Sequence, residues 1–146
     1  MIHLFVEDRL SVQSNYSSEL TNNSDTYYRR SYSVLSSYYQ AVQFQVIDNG
    51  PFIFYSQSQF ETLGYMYQCA FNPLNPYVNQ IADGDSGRRN GQFSIRTSLK
   101  GNTTYILVVT TKSFGALGKF SIHSWGPAPL QFQRISKDSF SLSSIR

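Results

Sequence analysis

Thr104-Tyr105-Ile106-Leu107-Val108-Val109-Thr110-Thr111 is the stretch whose reading decides the fold. β-Branched and aromatic residues fill it almost completely, as a pleated, packed surface requires. Tyr105, Leu107 and Val109 fall on one face, Ile106 and Val108 on the other. A strand with one wet face alternates apolar and polar residues. This one is apolar on both, which predicts a central strand covered on each side.

Shorter strand patterns lie around it. Tyr38 to Ile47 places Val42, Phe44 and Val46 on one face and Gln43 and Gln45 on the other. Asp48-Asn49-Gly50-Pro51 follows, and Asn-Gly is a hairpin signal, so Phe52 to Ser56 is expected to return beside it as a β-hairpin. Leu63 to Cys69 is a further strand, and its spacing behind Tyr65 and Tyr67 predicts a buried Cys69. Phe71-Asn72-Pro73-Leu74-Asn75-Pro76 carries two Asn-Pro steps and is a loop, leading to Val78 to Ala82. Gln92 to Leu99 alternates with Phe93, Ile95 and Leu99 inward. Lys119 to Trp125 puts Phe120 and Ile122 inward and His123 outward. Tyr16 to Thr21, Thr26 to Tyr32 and Leu130 to Arg134 are weaker candidates. No amphipathic helix of useful length is present. The expectation is an all-β chain: one antiparallel, jelly-roll-like β-sandwich of about nine strands over residues 16–134, with a lead-in over 1–15 and a tail over 135–146.

Composition narrows the function classes. Charged residues are 14% of the 146 and aromatics 16%, with apolar residues at 40%. Neutral polar groups therefore supply the surface, a balance suited to extracellular β-sandwiches. The net charge of +3 is scattered over twelve basic residues. It forms no stripe for nucleic acid. No run is long enough for membrane insertion within this chain. Met1 to Arg9 lacks the pattern of a signal peptide. The single cysteine leaves no internal disulfide.

Three motifs carry candidate chemistry. Gly84-Asp85-Ser86-Gly87 matches the nucleophile tetrapeptide of trypsin-like proteases, but that mechanism needs a histidine base held by a buried aspartate. His3 and His123 are the only histidines. His3 lies in the lead-in, and His123 follows the serine, reversing that family's order. The expectation is no catalysis. Asp83 and Asp85, with Glu61 from a neighbouring strand end, are candidate calcium ligands, since calcium takes six to eight oxygens. Arg88 and Arg89 follow at once and can tie the same loop as a plain turn. The charge balance favours the turn. Asn15, Asn22 and Asn102 begin glycosylation sequons. Trp125 and exposed tyrosines suit stacking on sugar rings, although aromatic strand residues more often belong to a core.

The combined pattern resembles a known module. It comprises Tyr38-Tyr39-Gln40-Ala41-Val42-Gln43, Gly64-Tyr65-Met66-Tyr67, Phe71-Asn72-Pro73-Leu74-Asn75-Pro76, Asp83-Gly84-Asp85-Ser86-Gly87, Gln92-Phe93 and Thr104 to Thr111. It resembles a repeated extracellular module abundant in rotifer proteins and, more distantly, the bacterial pre-peptidase C-terminal domain. That family is a jelly-roll-like sandwich, accessory to secreted peptidases and adhesins, and some members bind calcium. Here Glu61 stands where the bacterial pattern often has aspartate, and the loop is poorer in Asp and Asn. The resemblance implies a non-catalytic extracellular or cell-surface module that binds a protein or glycan ligand or acts as a spacer. The alternatives are a carbohydrate-binding module and the accessory domain of a secreted peptidase.

Overall fold

The computed structural model describes residues 10–30, 33–84 and 91–136. These residues form ten β-strands and no α-helix: β1 (Val12–Leu20), β2 (Asp25–Tyr27), β3 (Ser37–Val46), β4 (Gly50–Ser58), β5 (Thr62–Gln68), β6 (Gln80–Gly84), β7 (Ser94–Leu99), β8 (Thr103–Thr111), β9 (Gly118–Gly126) and β10 (Gln133–Ile135). All pairings are antiparallel, and the strands form two sheets packed as a sandwich. One sheet has the order β1-β9-β4-β7. The other runs β10-β3-β8-β5-β6, with β2 pairing with β3 on the same edge as β10, further along the strand.

The sandwich follows from period-two burial. Val42, Phe44 and Val46 of β3 and Tyr105, Leu107 and Val109 of β8 meet Phe52 and Phe54 of β4, Ile95 and Leu99 of β7, and Phe120 and Ile122 of β9. A one-residue slip would turn every one of these side chains to the other face, so burial fixes the register. β8 is flanked by β3 and β5 and is apolar on both faces. Its other face, Ile106 and Val108, packs with Tyr27, Tyr39, Ala41, Tyr67 and Phe71 in a second cluster outside the sandwich. The central, doubly covered strand expected at Thr104 to Thr111 is thus present.

Four expectations are corrected. β3 and β4 do not form a hairpin: β3 pairs with β8 and β4 with β7 and β9, so the Ile47-to-Asn49 connection arches between the sheets. Asn49 Oδ1 accepts from the Gly101 amide at 2.6 Å. Its side chain thereby ties two connections together, and the strand that follows it pairs elsewhere. Cys69 is exposed. β5 ends at Gln68, and Cys69 takes a left-handed φ of 72° that breaks the strand alternation. β1 begins at Val12, inside the stretch read as lead-in, and pairs with β9 along its length. The strand expected from Thr26 to Tyr32 is only Asp25–Tyr27.

Candidate functional site

The second cluster builds a concave site. Phe71 is its hub, with ring centroids 4.7 Å from Tyr67, 5.5 Å from Tyr27 and 5.5 Å from Tyr39. Residues 69–79 close over it. The Tyr67 hydroxyl donates to the Pro76 carbonyl at 2.6 Å, and the Gln68 amide to the Asn79 carbonyl at 2.9 Å. The Asn-Pro steps therefore form a compact cover on the outer face of the six-stranded sheet. Beside that cover lies a cavity of about 250 Å³, walled by Tyr27, Tyr65, Tyr67 and Tyr77, with Gln80 and Asp83 along one side and Arg29 and Arg30 at the other.

Register explains the composition of this wall. Tyr65 lies opposite Asp83 across the β5–β6 ladder and Tyr67 opposite Gln80, so each phenol shares a face with a polar partner. A register shift between Met66 and Tyr67 sets Gln80 where regular pairing would set Ile81. The shift leaves Ile81 exposed and puts an amide into the cavity wall.

Three hydroxyls of this cluster, those of Tyr27, Tyr39 and Tyr67, are held neutral. Burial raises the pKa of Tyr27, and the nearby Tyr67 and Tyr65 add to the effect while the Arg29 guanidinium opposes it. Burial likewise raises Tyr67, and Tyr39, where Asp25 adds. The Tyr39 hydroxyl is buried without a hydrogen-bond partner among the described residues. Arg29 is tied down. Its Nε donates to Ser37 Oγ at 3.1 Å, a terminal nitrogen donates to the Lys112 carbonyl at 3.3 Å, and the guanidinium lies 5.2 Å from the centroid of the Phe114 ring. A shallower groove shares Arg30 and Tyr77 with the cavity and continues past Tyr28, Val34 and Leu74. Val34 and Leu74 are 89% and 91% exposed.

The opposite face of the molecule carries a further arrangement of polar and aromatic groups. Asn15, His123 and Tyr55 are aligned across β1, β9 and β4. His123 Nδ1 lies 2.7 Å from Asn15 Oδ1, and Nε2 lies 3.0 Å from both Ser121 Oγ and Gln57 Oε1. The ring stacks on Tyr55 at 5.1 Å. Partial burial lowers the imidazole pKa, favouring the neutral form. Its hydrogen-bonding capacity is used by amide and hydroxyl groups, not by the carboxylate that a protease triad requires. His123 lies on the outer face, as its alternation with Phe120 and Ile122 predicted. Trp125 is half-buried beside it, opposite Gln13 and Ile53.

Of the expected calcium ligands, the structure describes Asp83 and Glu61 and sets them on different stretches of backbone. Asp83 lies within strand β6, not in a turn, and faces Tyr65. Glu61 precedes β5. It stands four residues from Tyr65, about 13 Å at the usual strand rise. A Cβ at Gly91 would meet the Glu61 side chain at 2.6 Å, so that carboxylate lies against residue 91. Asp85, Ser86, Arg88 and Arg89 lie outside the described residues, as does His3. Among the described residues no three Asp, Glu, His or Cys side chains gather as a metal site. Gly84 is needed for packing, since a Cβ there would sit 2.6 Å from the Ser94 carbonyl oxygen. Asn15, Asn22 and Asn102 are all exposed, on β1, in the β1–β2 turn and in the β7–β8 turn respectively. Among the described residues no helix is long and apolar enough to cross a membrane.

Sequence reading missed the tyrosine cavity as a unit. Its signal was present in fragments, in Tyr65-x-Tyr67, Tyr77 and Asp83. No protein-family model and no curated protein matches the chain.

Proposed function

We propose that this chain is a non-catalytic binding module of a larger secreted or cell-surface protein and that the tyrosine-walled cavity holds its ligand. The observation that carries the reading is convergence. β2, β5, β6 and the connections after β2 and β5 each bring side chains to one concavity. A few polar groups among aromatic walls are the usual make-up of a recognition pocket. The non-catalytic part rests on His123, which is committed to neutral partners on the other sheet. The resemblance to pre-peptidase C-terminal-like modules agrees with both parts, and with an accessory place beside a peptidase.

The test is retention on the immobilised chain of defined extracellular peptides and glycans, compared with the double variant Tyr77→Ala/Asp83→Ala. Both side chains are exposed, so the variant is expected to fold. A ligand retained by the native chain and lost by the variant supports the reading. Equal retention by the two, or none by either, overturns it. Hydrolysis of peptide, ester or glycoside substrates that disappears in His123→Ala or Ser86→Ala would overturn the non-catalytic part.

A further inference from the structure

We infer that the cavity takes a single neutral sugar ring. This rests on the binding-module reading and adds the chemical class of the ligand.

Size comes first. At about 250 Å³ the cavity lies just below the range of pockets that enclose drug-sized molecules. It suits one ring, and the groove that continues past Tyr77 lies outside it. The walls come second. Tyr65 and Tyr67 rise from the sheet, and Tyr77 stands at the rim, 56% exposed. Phenol rings offer an apolar face to the C–H side of a pyranose and a hydroxyl at their edge.

The polar groups decide between a sugar and an apolar guest. Asp83 and Gln80 lie along one strand, opposite Tyr65 and Tyr67. Neither side chain forms a hydrogen bond or ion pair with a described residue. Tyr27 is only 4% exposed at the cavity, and its hydroxyl also lacks a partner among the described residues. An apolar guest would strip water from all three groups and give nothing back, which is costly. A polyol satisfies them: a carboxylate accepts from two hydroxyls, an amide both donates and accepts, and a phenol does either.

Charge decides between a neutral and an ionic ring. Two guanidiniums line the cavity: that of Arg29 is already held by Ser37, the Lys112 carbonyl and the Phe114 ring, and Arg30 has an interaction of its own. The Asp83 carboxylate opposes an anion on the other wall. The lining therefore selects hydroxyls.

The test is titration of the whole chain with free glucose, galactose, mannose and N-acetylglucosamine, followed by NMR and by tyrosine fluorescence. Saturable binding of at least one sugar is expected, with a dissociation constant on the order of 1 mM for so small a ligand. Asp83→Ala, Tyr77→Ala and Tyr27→Phe are each expected to weaken it at least tenfold, while Tyr55→Ala, on the other sheet, leaves it unchanged. No saturable response to any of the four sugars overturns the inference, as does binding that survives in Asp83→Ala and Tyr77→Ala. A peptide that binds the native chain, is lost in the double variant and is displaced by none of these sugars removes the sugar ring and leaves the binding module standing.

Discussion

Removing one oxygen atom from Tyr39 and from Tyr67 should change stability in opposite directions. Both rings belong to the cluster around Phe71, both are almost fully buried, and both hydroxyls are held neutral by that burial. They differ in partners: the Tyr67 hydroxyl donates to Pro76 at 2.6 Å, whereas that of Tyr39 meets no acceptor among the described residues. An unsatisfied buried hydroxyl costs about 1–3 kcal/mol, and the small void left by its removal returns part of that. Tyr39→Phe is therefore expected to stabilise by about 1 kcal/mol. Tyr67→Phe gives up a made hydrogen bond and is expected to destabilise by about 0.5–1.5 kcal/mol. With an unfolding entropy of about 2.1 cal/mol/K per residue, 146 residues give ~0.3 kcal/mol/K, so Tm should rise by about 3 °C in the first variant and fall by about 2–5 °C in the second. Thermal and urea unfolding followed by circular dichroism measure both, with an unchanged urea slope required for the comparison. If Tyr39→Phe lowers Tm as Tyr67→Phe does, its hydroxyl has a partner and the account of this cluster fails.

Leu107→Ala, in the middle of the inter-sheet core, should cost about 2–5 kcal/mol by urea unfolding. Cys69, exposed after the end of β5, should react with a thiol-specific disulfide reagent in the native state, with no unfolding needed. Tyr27, Tyr39 and Tyr67 have pKa values raised above the ordinary 10.0, so their share of stability is present below pH 10 and is lost as pH climbs through their raised values. Phenolate absorbance should show these three titrating only together with alkaline unfolding.

The apolar pattern made the strands legible, because burial leaves a period-two trace within a few residues. β8 showed its central place through Ile106 and Val108 as plainly as through Leu107. Pairing was less legible. Asn49-Gly50 carries a local hairpin signal, yet the partner of β4 is chosen by how Phe52 and Phe54 meet the opposite sheet, and residues far along the chain decide that. Cys69 failed for a related reason: alternation holds only while the strand lasts, and a left-handed residue ends it. The cavity was least legible. Tyr65 and Asp83 are brought together by register, and Gln80 enters through a one-residue shift that no spacing rule announces.

The order in which the strands occur bears on how the protein is made. Among the described strands, only β2–β3 and β5–β6 are neighbours both in sequence and in a sheet. β8 sits between β3 and β5, and β9 sits between β1 and β4. Both of these bridging strands come late, from Thr103 to Gly126. During synthesis, seven strands with apolar faces therefore emerge from the ribosome before either sheet can close. Non-local pairing of this kind folds slowly and leaves strand edges open in the meantime. A stop codon just before β8, after Leu99 and before Thr103, would release a chain with both sheets split through the middle. Until β8 and β9 are made, the open strand edges are the surfaces most exposed to wrong pairing.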